Sequence, residues 1–140
     1  MLRSLSRCTK LYTEMIVDET IIYNSNIQHF LGFDSVEHPI SCQLGGSNPE
    51  NLRIVARKVE EWGYDEINFN VGCPSKRVSK HLFGARLMLN PPKVFECVNA
   101  MQESCNIPVT VKCRLGEYYY IIFCRSNIFT IVHNLLIRLR

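Results

Sequence analysis

The chain has 140 residues, 46% of them apolar and 21% charged, with a formal net charge of +3. That composition describes a folded globular chain and excludes intrinsic disorder. The length allows one domain with a real core but falls short of a complete eight-stranded α/β barrel, which takes about 250 residues. The mild positive charge admits an anionic partner such as RNA and excludes a basic nucleic-acid-binding tail.

Taken in chain order, Leu2-Arg3-Ser4-Leu5-Ser6-Arg7 carries Arg and Ser and reads either as a short transit peptide or as the remainder of an amphipathic helix. Strand-like runs follow at Leu11 to Val17, Pro39 to Leu44, Glu66 to Val71 and Pro108 to Lys112, with helical stretches between them. The clearest helix starts at Asn48-Pro49-Glu50, with Asn48 as N-cap and Pro49 in the first turn. It carries Leu52, Val55, Ala56, Val59 and Trp62 on one face and stops at Gly63. A second helix is expected from about Pro92 to Glu103, with Val94, Val98 and Met101 on one side. Strand and helix alternating at this spacing predict a parallel sheet with right-handed crossovers.

From Tyr118 to Arg140 the chain is mostly apolar, but Arg125, Ser126, Asn127, His133 and Asn134 interrupt it. A spanning helix needs about 20 predominantly apolar residues with few charges, so no membrane segment is expected.

The seven cysteines, Cys8, Cys42, Cys73, Cys97, Cys105, Cys113 and Cys124, form no C-x-x-C pair and no Cys/His cluster with zinc spacing. No metal site and no disulfide is expected, and a reducing interior is favoured, cytoplasmic with an organelle as the alternative. One of the seven stands apart. In Asn68-Phe69-Asn70-Val71-Gly72-Cys73-Pro74-Ser75 the alternation of a strand ends at Gly72 and Pro74, delivering Cys73 to the strand's carboxyl end, with Lys76 and Arg77 just beyond. A lone cysteine is usually a small buried hydrophobe. Here the neighbouring glycine, proline and basic pair favour a chemical role.

Two other strand ends carry polar groups. Ser41-Cys42-Gln43-Leu44-Gly45-Gly46 sets an amide before a glycine pair, and Val109-Thr110-Val111-Lys112 ends a β-branched run in a cation. Each has a bland reading: Gln43 as a satisfied interior amide, Lys112 as a solvated surface charge. Together they put an amide, a thiol and an ammonium at the ends of three successive strands, as the active rim of a parallel barrel requires.

These residues resemble a known family. Leu11-Tyr12-Thr13-Glu14-Met15, His38-Pro39-Ile40 with Gln43-Leu44-Gly45-Gly46-Ser47, Gly63 to Asn68 with Cys73-Pro74-Ser75, Phe83-Gly84-Ala85 and Ile107 to Lys112 are similar to the tRNA-dihydrouridine synthases, specifically their A-type branch. The resemblance covers residues 1–116 and leaves residues 117–140 as a tail unlike the family. It implies an α/β fold, a partial TIM-type (β/α)8 barrel of the FMN-linked kind seen through about its second to fifth strands. The implied activity is reduction of the C5–C6 double bond of D-loop uridines in tRNA, with FMN as cofactor and NADPH as reductant.

Carried over residue by residue, the resemblance implies Cys73 as proton donor, Gln43 and Lys112 as flavin contacts, and Asn70 as a contact to the substrate uridine. Lys76 and Arg77 are implied phosphate contacts. The family's opening strand with its Pro-Met segment, its flavin-contacting His, its Gly-rich phosphate loops and its C-terminal helical domain find no match here, and His133 stands in no matching motif. The alternative is a non-catalytic product with weak RNA or partner binding, since four strands leave open sheet edges. Other FMN barrels, the dihydroorotate and dihydropyrimidine dehydrogenases, are the nearest competing enzymes, and the run from Asn70 to Ser75 argues against them.

Overall fold

The computed structural model describes residues 2–74, 83–114 and 136–139. A short helix α1 (Leu2–Leu5) leads to two brief strands, β1 (Leu11–Tyr12) and β2 (Ile16–Val17), and then to helices α2 (Asp18–Tyr23) and α3 (Ile27–Leu31). After a 3₁₀ turn at Ser35–Glu37 come β3 (Ile40–Gly45), α4 (Pro49–Glu61) and β4 (Glu66–Asn70). A 3₁₀ helix at Gly84–Leu89 precedes α5 (Pro91–Gln102) and β5 (Val109–Lys112), and β6 (Leu136–Leu139) is the last element.

The sheet runs in the order β1-β3-β4-β5-β6, with β2 also paired to β3. Every pairing is parallel except that of β5 with β6. Five parallel strands joined by helices, not closed on themselves among the described residues, make a segment of a TIM-type barrel. The antiparallel β6 falls within the tail that the family resemblance leaves out.

Helix α4 forms where the sequence places it. Asn48 caps it, its Oδ1 accepting from Glu50 N at 3.0 Å, with Pro49 in the first turn. Leu52, Val55, Ala56 and Val59 are buried at i, i+3, i+4, i+7 spacing. Fully burying each Leu or Val contributes about 1.5–3 kcal/mol. Trp62 is the C-cap residue and only partly buried, and Gly63 takes the left-handed conformation with φ +88° that ends the helix. Helix α5 starts one residue earlier than expected, at Pro91, capped by the side chain of Asn90 on Lys93 N; Val98 and Met101 are buried and Val94 partly so.

Side chains alternate across the strands. Cys42 and Leu44 of β3, Ile67 and Phe69 of β4, and Val109 and Val111 of β5 join α4 and α5 in one apolar cluster. The opposite parity, Ser41, Gln43, Glu66, Asn68, Asn70 and Thr110, is polar and also buried.

The expected single strand from Leu11 to Val17 is two strands. The register pairs Tyr12 with Ser41 but Ile16 with Leu44, so three residues, Thr13 to Met15, face two, Cys42 and Gln43. This is a bulge in which the Thr13 hydroxyl, in place of a carbonyl, accepts from Gln43 N at 2.9 Å. It turns Met15 onto Gly45, where an added Cβ would lie 2.9 Å from the Met15 sulfur.

Candidate active site

Parallel pairing brings Gln43, Asn70 and Lys112 to the carboxyl ends of β3, β4 and β5. Asn70 stands directly opposite Lys112 in the register. Gln43 pairs with Asn68, one step below, and reaches Asn70 by side chain: Asn70 Nδ2 donates to Gln43 Oε1 at 2.9 Å. The Lys112 side chain is exposed and makes no hydrogen bond or ion pair among the described residues, while its carbonyl accepts from Val71 N at 2.9 Å.

Cys73 is held by the turn that follows β4. Asn70 Oδ1 accepts from Gly72 N at 3.1 Å and from Cys73 N at 3.0 Å, folding the chain back over the strand end. The Cys73 carbonyl accepts from Ala85 N at 2.9 Å, which ties Phe83-Gly84-Ala85 to the same turn. The thiol residue is half-buried against the edge of the core. At Gly72 an added Cβ would come within 3.0 Å of the Cys113 carbonyl carbon, so this glycine makes room for the chain leaving β5.

Four further cysteines, Cys42, Cys97, Cys105 and Cys113, pack in or against the apolar core, whereas Cys8 is exposed. Burial pushes the thiol of Cys42 up to about 12 and those of Cys97 and Cys105 to about 11, and it raises Cys113 as well. Groups so far from ionising at neutrality are poor nucleophiles. All six described cysteines are free thiols, and no group of three or more His, Cys, Asp or Glu among the described residues could hold a metal ion. No described helix is long and apolar enough to cross a membrane. Lys76 and Arg77 lie outside the described residues.

What the sequence reading missed is the polar face beneath these groups. Gln43 Nε2 donates to Asn68 Oδ1 at 2.9 Å, and Asn68 Nδ2 donates to Thr110 Oγ1 at 2.9 Å. The Thr110 hydroxyl reaches Glu66 Oε1 at 2.9 Å, Ser41 Oγ donates to the same oxygen at 3.2 Å, and Lys10 Nζ pairs with Glu66 Oε2 at 2.5 Å. The available signal was the run Glu66, Asn68, Asn70 at every second position of a strand that must be buried on both faces.

A cleft of about 760 Å³ opens beside the glycine pair, lined by Met15, Asp18, His29, Gly46, Asn48 and Phe83 among others. Asp18 is buried there, and burial raises its carboxyl above the ordinary range despite hydrogen bonds from Glu19 N and Asn51. A Cβ at Gly46 would sit 2.7 Å from that carboxylate, so any larger residue there displaces the Asp18 side chain. Cys73, Gln43, Asn70 and Lys112 do not line this cleft.

A parallel α/β-barrel sheet that gathers two amides, a thiol-bearing turn and a free ammonium at the carboxyl ends of three consecutive strands has the layout of a barrel enzyme. The family model described as Dihydrouridine synthase matches residues 1–125, and the chain belongs to that family. It is 51% identical over 115 residues to a tRNA-dihydrouridine(20/20a) synthase of Pseudomonas putida, covering 82% of this chain and 34% of the relative. To the proteins of the same name from Synechocystis sp. and Xanthomonas campestris it is 52% and 51% identical, with 82% and 81% of this chain and 34% of each relative covered. The chain thus spans about a third of the length of these relatives.

Proposed function

We propose that this chain carries part of the catalytic face of an FMN-dependent tRNA-dihydrouridine synthase, which saturates the C5–C6 bond of D-loop uridines with NADPH as the electron source. One observation carries the proposal. The turn bearing Cys73, the amides of Asn70 and Gln43 and the ammonium of Lys112 meet at one end of the sheet, linked by Asn70 to Gln43 and to Cys73 N.

In this reading Cys73 is the general acid, whose S–H supplies the proton for one of the two ring carbons. The donors fit a flavin: the Lys112 ammonium is exposed without a partner among the described residues, and Gln43 keeps one N–H beyond those it shares with Asn68. Lys112 would hold the negative charge of a reduced isoalloxazine, and Gln43 would hydrogen-bond its polar edge. When bound, the flavin supplies the hydride for the other carbon. Asn70 contacts the uridine, which must leave its stack in the folded RNA to reach this end of the sheet.

The open sheet supports a second reading, a non-catalytic product with weak RNA or partner binding. One experiment separates the two. The chain is purified, its flavin absorbance recorded, and dihydrouridine counted in a tRNA transcript incubated with NADPH. The enzyme reading expects yellow protein and turnover that Cys73→Ala lowers by about 10²–10⁴-fold with the flavin still bound. Colourless protein without turnover overturns the enzyme reading for this chain. Full activity in Cys73→Ala overturns the proton-donor role.

A further inference from the structure

The buried polar face of the sheet is a chain of hydrogen bonds with a direction, and both of its ends fix that direction. At the upper end Asn70 Oδ1 accepts from two backbone N–H groups, those of Gly72 and Cys73. Both acceptor positions of that oxygen are filled, so the amide cannot turn over without leaving two backbone donors facing an NH₂ group. Its Nδ2 must then face Gln43 Oε1, which turns Gln43 Nε2 to Asn68 Oδ1 and Asn68 Nδ2 to Thr110 Oγ1.

At the lower end Glu66, a carboxylate paired with the Lys10 ammonium, only accepts. The Thr110 hydroxyl is 2.9 Å from Glu66 Oε1 and 3.2 Å from the carbonyl of Ile67, and its single proton goes to the nearer, charged acceptor. The four links from Asn70 to Glu66 join five residues that are each at most 8% exposed. Reversing any one amide sets N–H against N–H on one side and oxygen against oxygen on the other. Each unmatched buried group costs about 1–3 kcal/mol.

We infer that Glu66 and Asn68 are positioning residues for the reactive end of the sheet: through Thr110 and Gln43 they lock Asn70 with its oxygen on the Cys73 turn and a single N–H left to offer. Asn70 therefore meets a ligand only as a donor. Under the function proposed above, on which this step alone rests, the base edge at Asn70 presents a carbonyl oxygen, and a pyrimidine with an amino group at that edge is rejected. Uracil satisfies this and the amino edge of cytosine does not.

The test uses the full chain labelled with ¹⁵N, followed by NMR hydrogen exchange of the side-chain amides. Of the two Asn70 protons, the one given to Gln43 is expected to exchange about tenfold more slowly than the other, and equal exchange overturns the inference. In Glu66→Gln the Lys10 ammonium claims the new amide's oxygen, so its NH₂ faces Thr110, whose proton must turn to the longer, uncharged contact with the Ile67 carbonyl, and the lower end of the chain loses its charged anchor. Exchange at Asn68, Gln43 and Asn70 is expected to rise about tenfold, with the α4 backbone amides unmoved and Glu66→Asp restoring protection. Unchanged exchange in Glu66→Gln refutes the role of Glu66, and if that variant does not fold, Thr110→Val, which removes the link between Asn68 and Glu66, is read in the same way.

A second arm compares binding of short uridine and cytidine oligonucleotides. Preference for uridine that is lost in Asn70→Asp supports the specificity step. Directional exchange with no base preference leaves the polarity of the chain standing and removes Asn70 from the proposed site.

Discussion

Asp65, one residue ahead of β4, joins two segments through one oxygen: its Oδ2 accepts from Ile40 N at 2.6 Å and pairs with His38 Nδ1 at 2.7 Å. Desolvation works to raise its pKa, but the Ile40 N–H and the His38 ring outweigh it and hold the carboxyl below the usual range. A carboxyl depressed in the folded state stabilises the fold above its unfolded pKa of about 4, and that contribution disappears as the pH falls through the lowered folded value. Asp65→Asn is therefore expected to destabilise the chain at about pH 6, with the gap to the parent chain narrowing toward about pH 3. Urea unfolding at the two pH values measures it, and a gap independent of pH would show that the charge of Asp65 is irrelevant. Neither this pair nor the use of Gly72 could be read from the sequence. The glycine's freedom was legible, but that it makes room for Cys113 depends on where β5 ends in space.

Among the elements, α4 was legible almost to the residue because its signals are local: Asn48 and Pro49 at the start, four apolar residues on one stripe, Gly63 at the stop. Asn48→Ala removes the acceptor for Glu50 N and is expected to cost about 1 kcal/mol. In thermal unfolding of a domain this size that is a fall in Tm of about 3–4 °C, and no change would mean the N-terminus of α4 frays in the parent chain. The split of β1 from β2 was illegible for the complementary reason. Leu11 to Val17 has the composition of one strand, and the extra residue shows only once the Thr13 hydroxyl is seen to take the Gln43 N–H. The same holds for the polar chain under the site: Glu66, Asn68 and Thr110 are ordinary strand residues in sequence, and only the register Asn68 opposite both Gln43 and Thr110 links them.

For the molecule as a whole, the fold class was legible because strand and helix alternate at a fixed spacing, whereas the antiparallel docking of β6 on β5 has no local signal. The sheet is buried on both faces in different ways, apolar toward α4 and α5 and polar on the opposite face, so its cohesion rests on the apolar side. Phe69 lies at the centre of that side, fully buried on β4 between β3 and β5, whereas Phe95 on α5 is 50% exposed. Removing a buried phenylalanine forfeits its transfer free energy and leaves a cavity, about 3–5 kcal/mol, in a domain whose whole stability is about 5–15 kcal/mol. Phe69→Ala is thus expected to leave the chain unfolded or nearly so at room temperature, while Phe95→Ala shifts its stability by no more than about 0.5 kcal/mol. Far-ultraviolet circular dichroism through a denaturant series measures both. Equal losses from the two substitutions would mean that the exposed face of α5 is as firmly packed as the centre of the sheet, and that cohesion does not reside between β3, β4 and β5.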